Sequence, residues 1–230
     1  MIKPDYEKLE AYMKKCAQDT SHDSEHIYRV LYIAMEIAAA EEQAGESVDY
    51  DVLIAACLLH DIGRAEELTD PSVCHASIGA EKAYRFLVGE GFPEHFAEHV
   101  RDCILSHRFR IHHQPKSIEA KILFDADKVD VAGALGIART LMYRNGRGKS
   151  LYSLLPDGSV SEGISDTEPS FFEEYHRKLE KIYSCFYTRR GEELAYSRKS
   201  AAVAFYRAIL AEAGASRGNG RKILEEKLAK

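Results

Sequence analysis

Apolar residues recur at three- and four-residue spacings along almost the whole chain, and no stretch keeps the two-residue alternation of a half-buried strand. The pattern predicts helices over about 4–17, 22–44, 49–61, 76–90, 93–107, 117–143, 168–188 and 191–213. End signals agree with several of these. Pro4 and Pro93 suit first turns, Gly45 and Gly91 suit C-terminal ends, and Thr20 or Ser21 suits an N-cap. The longest irregular piece, RNGRGKSLYSLLPDGSVSEGISDT (144–167), separates a core of about 20–143 from a C-terminal helical hairpin of about 168–213. The expectation is an all-α chain, a single-domain helical bundle over 1–214, followed by a charged and loosely attached tail, 215–230.

Some polar residues break the apolar stripes, and CLLHDIGR (57–64) is the clearest case. An apolar run from Val52 to Leu59 ends in His60 and Asp61. On a helix, His60 falls on the stripe of Leu53, Ala56 and Cys57. His26 opens the stripe Val30, Ile33, Ile37, and His107 closes the stripe Val100, Cys103, Ile104. Asp127 follows Ala120 and Leu123 and precedes Val131 and Ala134. Each is predicted to face inward from a different helix. A buried unpaired carboxylate costs several kcal/mol, so buried charges are paired or metal-bound. Inward His and Asp groups from separate helices satisfy one another by binding one cation. Taken singly, each has a plainer reading: a hydrogen-bonded core histidine, or an Asp61 that simply ends its helix. Periodicity also leaves Asp125, Asp127 and Asp130 open, because Asp125 shares a stripe with Ile118, Ile122 and Val129.

Composition narrows the setting. A chain of 230 residues, 45% hydrophobic and 30% charged, is long enough to bury a full core. A net charge of −6 argues against a broad nucleic-acid or anionic-membrane surface, though not against a small phosphate pocket. The five cysteines form no CxxC pair, and Cys57 and Cys103 lie in apolar helical runs, as small core residues in a reducing compartment do. The polar N-terminus reads as no signal peptide, and no apolar run reaches the ~20 residues of a membrane span. A cytoplasmic protein is expected.

Two motifs mislead. NGRGKS (145–150) would need glycine where Tyr143 stands, and a preceding strand, to be a phosphate-binding P-loop. HFAEH (95–99) fits HxxEH, and a zinc peptidase using His95, Glu98 and His99 is one rival function. Its histidines, however, share a stripe with Asp102 and Ser106, opposite the apolar Phe96, Val100 and Cys103. A solvated face explains them better.

The segments DSEHIYRVLYIA (23–34), LLHDIGR (58–64), CHASIGAEKA (74–83), CILSHR (103–108) and KILFDADKVDVAGALGIARTLMY (121–143) resemble the HD-domain phosphohydrolase superfamily. FFEEYHRKLEKIYSCFYTRRGEELAYSRKSA (171–201) is similar to the C-terminal helices of one bacterial subgroup. The resemblance implies a helical bundle holding a divalent cation through the pattern H…HD…D, here His26, His60, Asp61 and Asp127. It selects Asp127 because ADKV matches the family's final aspartate segment. His75 and His107 stand where two-metal relatives place further histidines and where single-metal relatives face the substrate. A mixed His/carboxylate shell suits Mn²⁺, Co²⁺, Ni²⁺, Fe²⁺ or Zn²⁺ better than Mg²⁺, and the likeness favours Mn²⁺.

The implied activity is hydrolysis of a nucleotide or related phosphoester by metal-activated water. Subgroup likeness extends this to a nucleoside triphosphate cleaved to monophosphate and pyrophosphate. Asp61 is expected to serve in catalysis, with Glu66, Glu67 or Asp70 as general acid or base, Glu66 and Asp70 foremost; a solvated acidic turn is the plain alternative. Arg64, Lys128, Arg108 and Arg139 are candidate phosphate partners, Arg64 and Lys128 nearest the ligand segments. Arg110, His112 and His113 are read as a basic rim or an idle loop, and Tyr175, His176 and Lys178 as pocket lining or hairpin packing. The second rival is a non-catalytic nucleotide- or metal-binding sensor. The expected partner is a small phosphorylated molecule, with a homodimer as working expectation for assembly.

Overall fold

The computed structural model describes residues 1–17, 24–108, 113–145 and 150–229. The predicted cap at Thr20 or Ser21, the rim residues Arg110 and His112, and most of the NGRGKS loop lie outside them. Described residues form helices joined by turns, with isolated β-bridges in place of a sheet. Contacts divide the chain into one unit of Met1–Asp130 with Phe186–Glu192, and another of Val131–Cys185 with Glu193–Lys230.

The first unit contains α1 (Lys3–Ala17), α2 (Ser24–Gln43), α3 (Tyr50–Leu59), α4 (Arg64–Thr69), α5 (His75–Gly89), α6 (Glu94–Ser106) and α7 (Ile118–Val131), the last of which ends at the boundary. Its central helix is α3, packed against α1, α2 and α6. The Asp49 carboxylate caps α3 by accepting from the Asp51 and Val52 amides, at 3.0 and 3.1 Å. Val52, Leu53, Leu58 and Leu59 are all buried, each contributing about 1.5–3 kcal/mol from apolar burial. An apolar helix closed on all sides needs a polar exit, and α3 exits at His60 and Asp61.

The turn after Asp61 is pressed against α5. A Cβ on Gly63 would lie 2.3 Å from the His75 carbonyl oxygen and 2.7 Å from the Gly79 nitrogen, so no side chain fits there. This contact brings the end of α3 to the start of α5. The short helix α4 follows at once, where the sequence offers a solvated acidic turn as the plain alternative to a catalytic acid or base; it contains no buried residue.

The second unit holds α8 (Gly133–Asn145), the short α9 (Phe171–Glu174) and most of α10 (Arg189–Leu228). The predicted helix 117–143 is broken between α7 and α8, where Gly133 takes a φ of +77°. The predicted helix 168–188 is also broken. Ser170 caps α9, a wide π-helical turn spans Tyr175–Leu179, and a tight turn follows at Ile182–Ser184. Through the wide turn, adjacent side chains both reach Tyr206: the Tyr175 ring stacks on it at 4.1 Å, and His176 Nε2 lies 2.9 Å from its hydroxyl. Phe171, Phe172, Tyr175, Leu179, Ala202 and Tyr206 form this unit's core with Ile137.

Helix α10 runs to Leu228, well past the predicted end near 213. Arg217 donates to the Gly158 carbonyl at 2.8 Å and Arg221 to the Asp157 carbonyl at 2.9 Å, fastening the extension. Among the described residues, no helix is long and apolar enough to cross a membrane.

Candidate metal centre

Helix ends of the first unit converge on a cluster of imidazoles and carboxylates. His60 caps the end of α3, with Asp61 beside it, and His107 caps the end of α6. His26 lies in the first turn of α2, and His75 opens α5. Asp127 lies one turn before the end of α7. All four imidazoles are buried, with relative exposures of 0–5%.

Each imidazole is held by its Nδ1, in a way that depends on which helix end carries it. A helix C-terminus offers unpaired carbonyls. His60 Nδ1 accordingly donates to the Cys57 carbonyl at 2.8 Å, and His107 Nδ1 to the Ile104 carbonyl at 2.5 Å. A helix N-terminus offers only N–H groups, which cannot accept a proton, so the other two imidazoles rely on carboxylates from elsewhere. His26 Nδ1 donates to Asp130 at 2.8 Å, and His75 Nδ1 donates to Glu67 at 2.7 Å. Asp130 is itself fully buried and accepts from Arg29 Nε at 2.8 Å.

With the proton on Nδ1, every Nε2 presents a lone pair. These lone pairs face one another: His26 and His60 at 3.4 Å, His75 and His107 at 3.3 Å. Asp61 stands between the pairs. Its Oδ2 is 3.6 Å from His26 Nε2 and 3.7 Å from His60 Nε2. Its Oδ1 is 3.6 Å from His75 Nε2 and 3.7 Å from His107 Nε2. Asp127 Oδ1 adds a further oxygen 3.4 Å from His26 Nε2.

Lone pairs meeting without a proton between them repel, and a cation removes the repulsion. A cation about 2.1 Å from each donor sets neighbouring donors roughly 3.0–3.4 Å apart, close to the spacing observed. The donor set therefore fits a divalent ion. Two groups, His26 with His60 and Asp127, and Asp61 with His75 and His107, each bring their ligand atoms within 4.8 Å of one another.

Protonation agrees. Burial first, then neighbouring His107 and His26, pulls His60 down to about 4. Burial and the Arg64 guanidinium take His75 down to about 3. Burial works against ionised Asp61, yet Arg64 and His60 hold its carboxyl well below the usual range. Lys128 and His26 likewise overcome burial and lower Asp127. Neutral His60 and His75 beside ionised Asp61 and Asp127 form the state that binds a cation.

Cations of the protein's own line the rim. Arg64 Nε donates to Asp61 Oδ1 at 2.9 Å, and Lys128 Nζ donates to Asp127 Oδ2 at 3.2 Å. Arg108 donates to Glu67 Oε1 at 2.6 Å.

The structure thus brings together His26, His60, Asp61, Asp127, His75, His107, Arg64 and Lys128. It does not bring Glu66 or Asp70 to them. Glu66 pairs with Lys82 at 2.7 Å, and exposed Asp70 accepts from the Ser72 amide at 2.9 Å. Glu67 is the carboxylate of that segment that reaches the imidazoles. Its signal in the sequence was the i, i+3 spacing to Arg64, legible only once α4 is known to be helical. Arg139 lies on α8, in the second unit. Asp125 is fully buried but accepts from the Tyr187 amide and from the Thr188 amide and hydroxyl, as a structural cap. In HFAEH, His95 and Glu98 are exposed, while His99 lies 3.1 Å from Glu119. His113 is exposed.

A family model described as the HD domain matches residues 23–132. The solved structure of a predicted HD superfamily hydrolase from an uncultured Thermotogales bacterium is 30% identical, covering 90% of this chain and 91% of that one with a TM-score of 0.59. YpgQ of Bacillus subtilis (strain 168) is 27% identical over 209 residues, 88% of this chain and 91% of YpgQ. The crystal structure of YpgQ in complex with ADP matches with a TM-score of 0.65 at 24% identity, over 90% of this chain and 97% of that one.

Proposed function

Because the chain belongs to the HD superfamily, we propose that it is a metal-dependent phosphohydrolase acting on a nucleotide. The facing Nε2 lone pairs of His26 and His60, beside Asp61 and Asp127, are the observation that carries this reading. These four residues would hold the first divalent cation, with Mn²⁺ favoured by the family likeness. His75, His107 and Oδ1 of Asp61 would hold a second cation or meet the substrate. Such a cation supplies an acidified water and neutralises charge on phosphoryl oxygens.

The remaining work falls to the side chains. Arg64 and Lys128 each donate to a carboxylate of the cluster and stand ready to exchange it for a phosphoryl oxygen. Asp130 keeps the His26 lone pair aimed inward. Water attacks phosphorus directly, with no covalent intermediate on the protein. A nucleotide ligand is supported by the ADP complex of YpgQ; cleavage of a nucleoside triphosphate to monophosphate and pyrophosphate rests on the subgroup resemblance of residues 171–201 alone.

The test is a release assay for phosphate and pyrophosphate over a nucleotide panel, with Mn²⁺, Co²⁺, Ni²⁺, Mg²⁺ and Zn²⁺ in turn, beside His60→Ala and Asp127→Ala. Turnover of a nucleotide that both substitutions abolish is expected. A metal-replete protein that turns over no phosphorylated compound would refute the proposal.

A further inference from the structure

The α4 turn aims one carboxylate inward, and its two oxygens serve three partners. Glu67 Oε2 accepts from His75 Nδ1 at 2.7 Å and from Arg64 at 3.3 Å, while Oε1 accepts from Arg108 at 2.6 Å. His75 is the first residue of α5, so the backbone around it has no unpaired carbonyl to fix its ring. Glu67 stands in for that carbonyl. A charged acceptor does more than a neutral one: it locks the tautomer and makes the opposite nitrogen a stronger donor to a cation.

We propose that Glu67 is a positioning residue. It sets the cation affinity of the Asp61, His75 and His107 group, and the same carboxylate keeps Arg64 and Arg108 beside that group for an anionic substrate. The proposal rests on reading those three residues as a second cation site. It assigns Glu67 no contact with the reacting atoms. It also separates Glu67 from Glu66, whose carboxylate is turned to Lys82.

The experiment titrates chelator-stripped full-length protein with Mn²⁺, following heat by calorimetry and free Mn²⁺ by electron paramagnetic resonance. The wild type is expected to show a stronger and a weaker class of site. Glu67→Gln should lower the weaker class about 10–100-fold while the stronger class shifts by no more than about threefold. Glu67→Asp, one methylene short of His75, should fall between them and serves if Glu67→Gln does not fold. Arg108→Ala should keep both Mn²⁺ classes and weaken binding of sulfate, a tetrahedral anion probe. In the metal-free protein, ¹⁵N spectra should show His75 protonated at Nδ1 in the wild type and mixed between tautomers in Glu67→Ala.

Glu67 variants that weaken both classes equally, or neither, overturn the proposal. A wild type that binds a single Mn²⁺ also overturns it while leaving the His26, His60, Asp61 and Asp127 centre standing. A wild type that binds none sinks that centre as well.

Discussion

His26 with His60, and His75 with His107, flank Asp61 with nearly equal Nε2 separations, 3.4 and 3.3 Å. Each pair draws one imidazole from a helix start and one from a helix end. Each end-borne ring leans on a backbone carbonyl and each start-borne ring on an imported carboxylate. Charge is where they part. The first pair has Asp127 as well as Asp61, whereas the second has Asp61 alone, through an oxygen that already accepts from Arg64. Arg108 adds another guanidinium near the second pair. Equal lone-pair geometry therefore serves unequal electrostatics. The first half is suited to keep a cation at rest; the second is suited to a cation that arrives with an anion.

The largest effect that can break this comparison is at the shared residue. Asp61→Asn should abolish both classes of Mn²⁺ binding and cut turnover by at least about 10³-fold, well beyond the 10–100-fold of an outer partner. Metal analysis of the purified variant checks this; one retained ion would show that the halves do not share Asp61. Next, Asp127→Asn should weaken the stronger class by more than about 10²-fold and spare the weaker one. It should also remove the stabilisation that Mn²⁺ at a hundredfold excess over Kd gives the wild type, about 2.7 kcal/mol. Thermal melts with and without chelator read that difference.

Asp130→Asn probes the outer layer of the same half. Loss of its charge behind His26 should reduce the stronger affinity about 10–100-fold with the weaker class unmoved, as calorimetry would report. The smallest effect is expected on the rim of the second half. Arg64→Ala should raise KM about tenfold with kcat little changed, the loss of one charged hydrogen bond to a phosphoryl oxygen. A fall in kcat alone would place Arg64 in the chemical step instead.

Much of this was legible in the residues, for reasons that also mark where legibility stops. Apolar periodicity located α3 and the inward stripes of His26, His60 and His107, because burial enforces the helical repeat. Periodicity could not rank Asp125, Asp127 and Asp130, since all three point into packed surroundings and differ only in what meets them. Asp125 meets donors from Tyr187 and Thr188, more than sixty residues away in sequence, a pairing no local pattern encodes.

Nothing in the sequence separates Glu66 from Glu67, because α4 buries nothing and hydrophobicity gives it no phase. The break at Gly133 was hidden by an apolar pattern that runs straight across it. The extension of α10 was hidden by the opposite cause. Its apolar stripe fades while arginine contacts to carbonyls 157 and 158 carry the helix onward.

The bare backbone contact at Gly63 and Gly79 has a mechanical consequence. With main chain seated on main chain, the corner bearing Asp61 and the turn bearing His75 share a joint without slack. Cushioned by a side chain, such a joint would let the two drift by fractions of an ångström as rotamers hopped. Here the gauge between carboxylate and imidazole is machined by what the chain leaves out, and one added methyl would be felt across the whole bridge between the two halves.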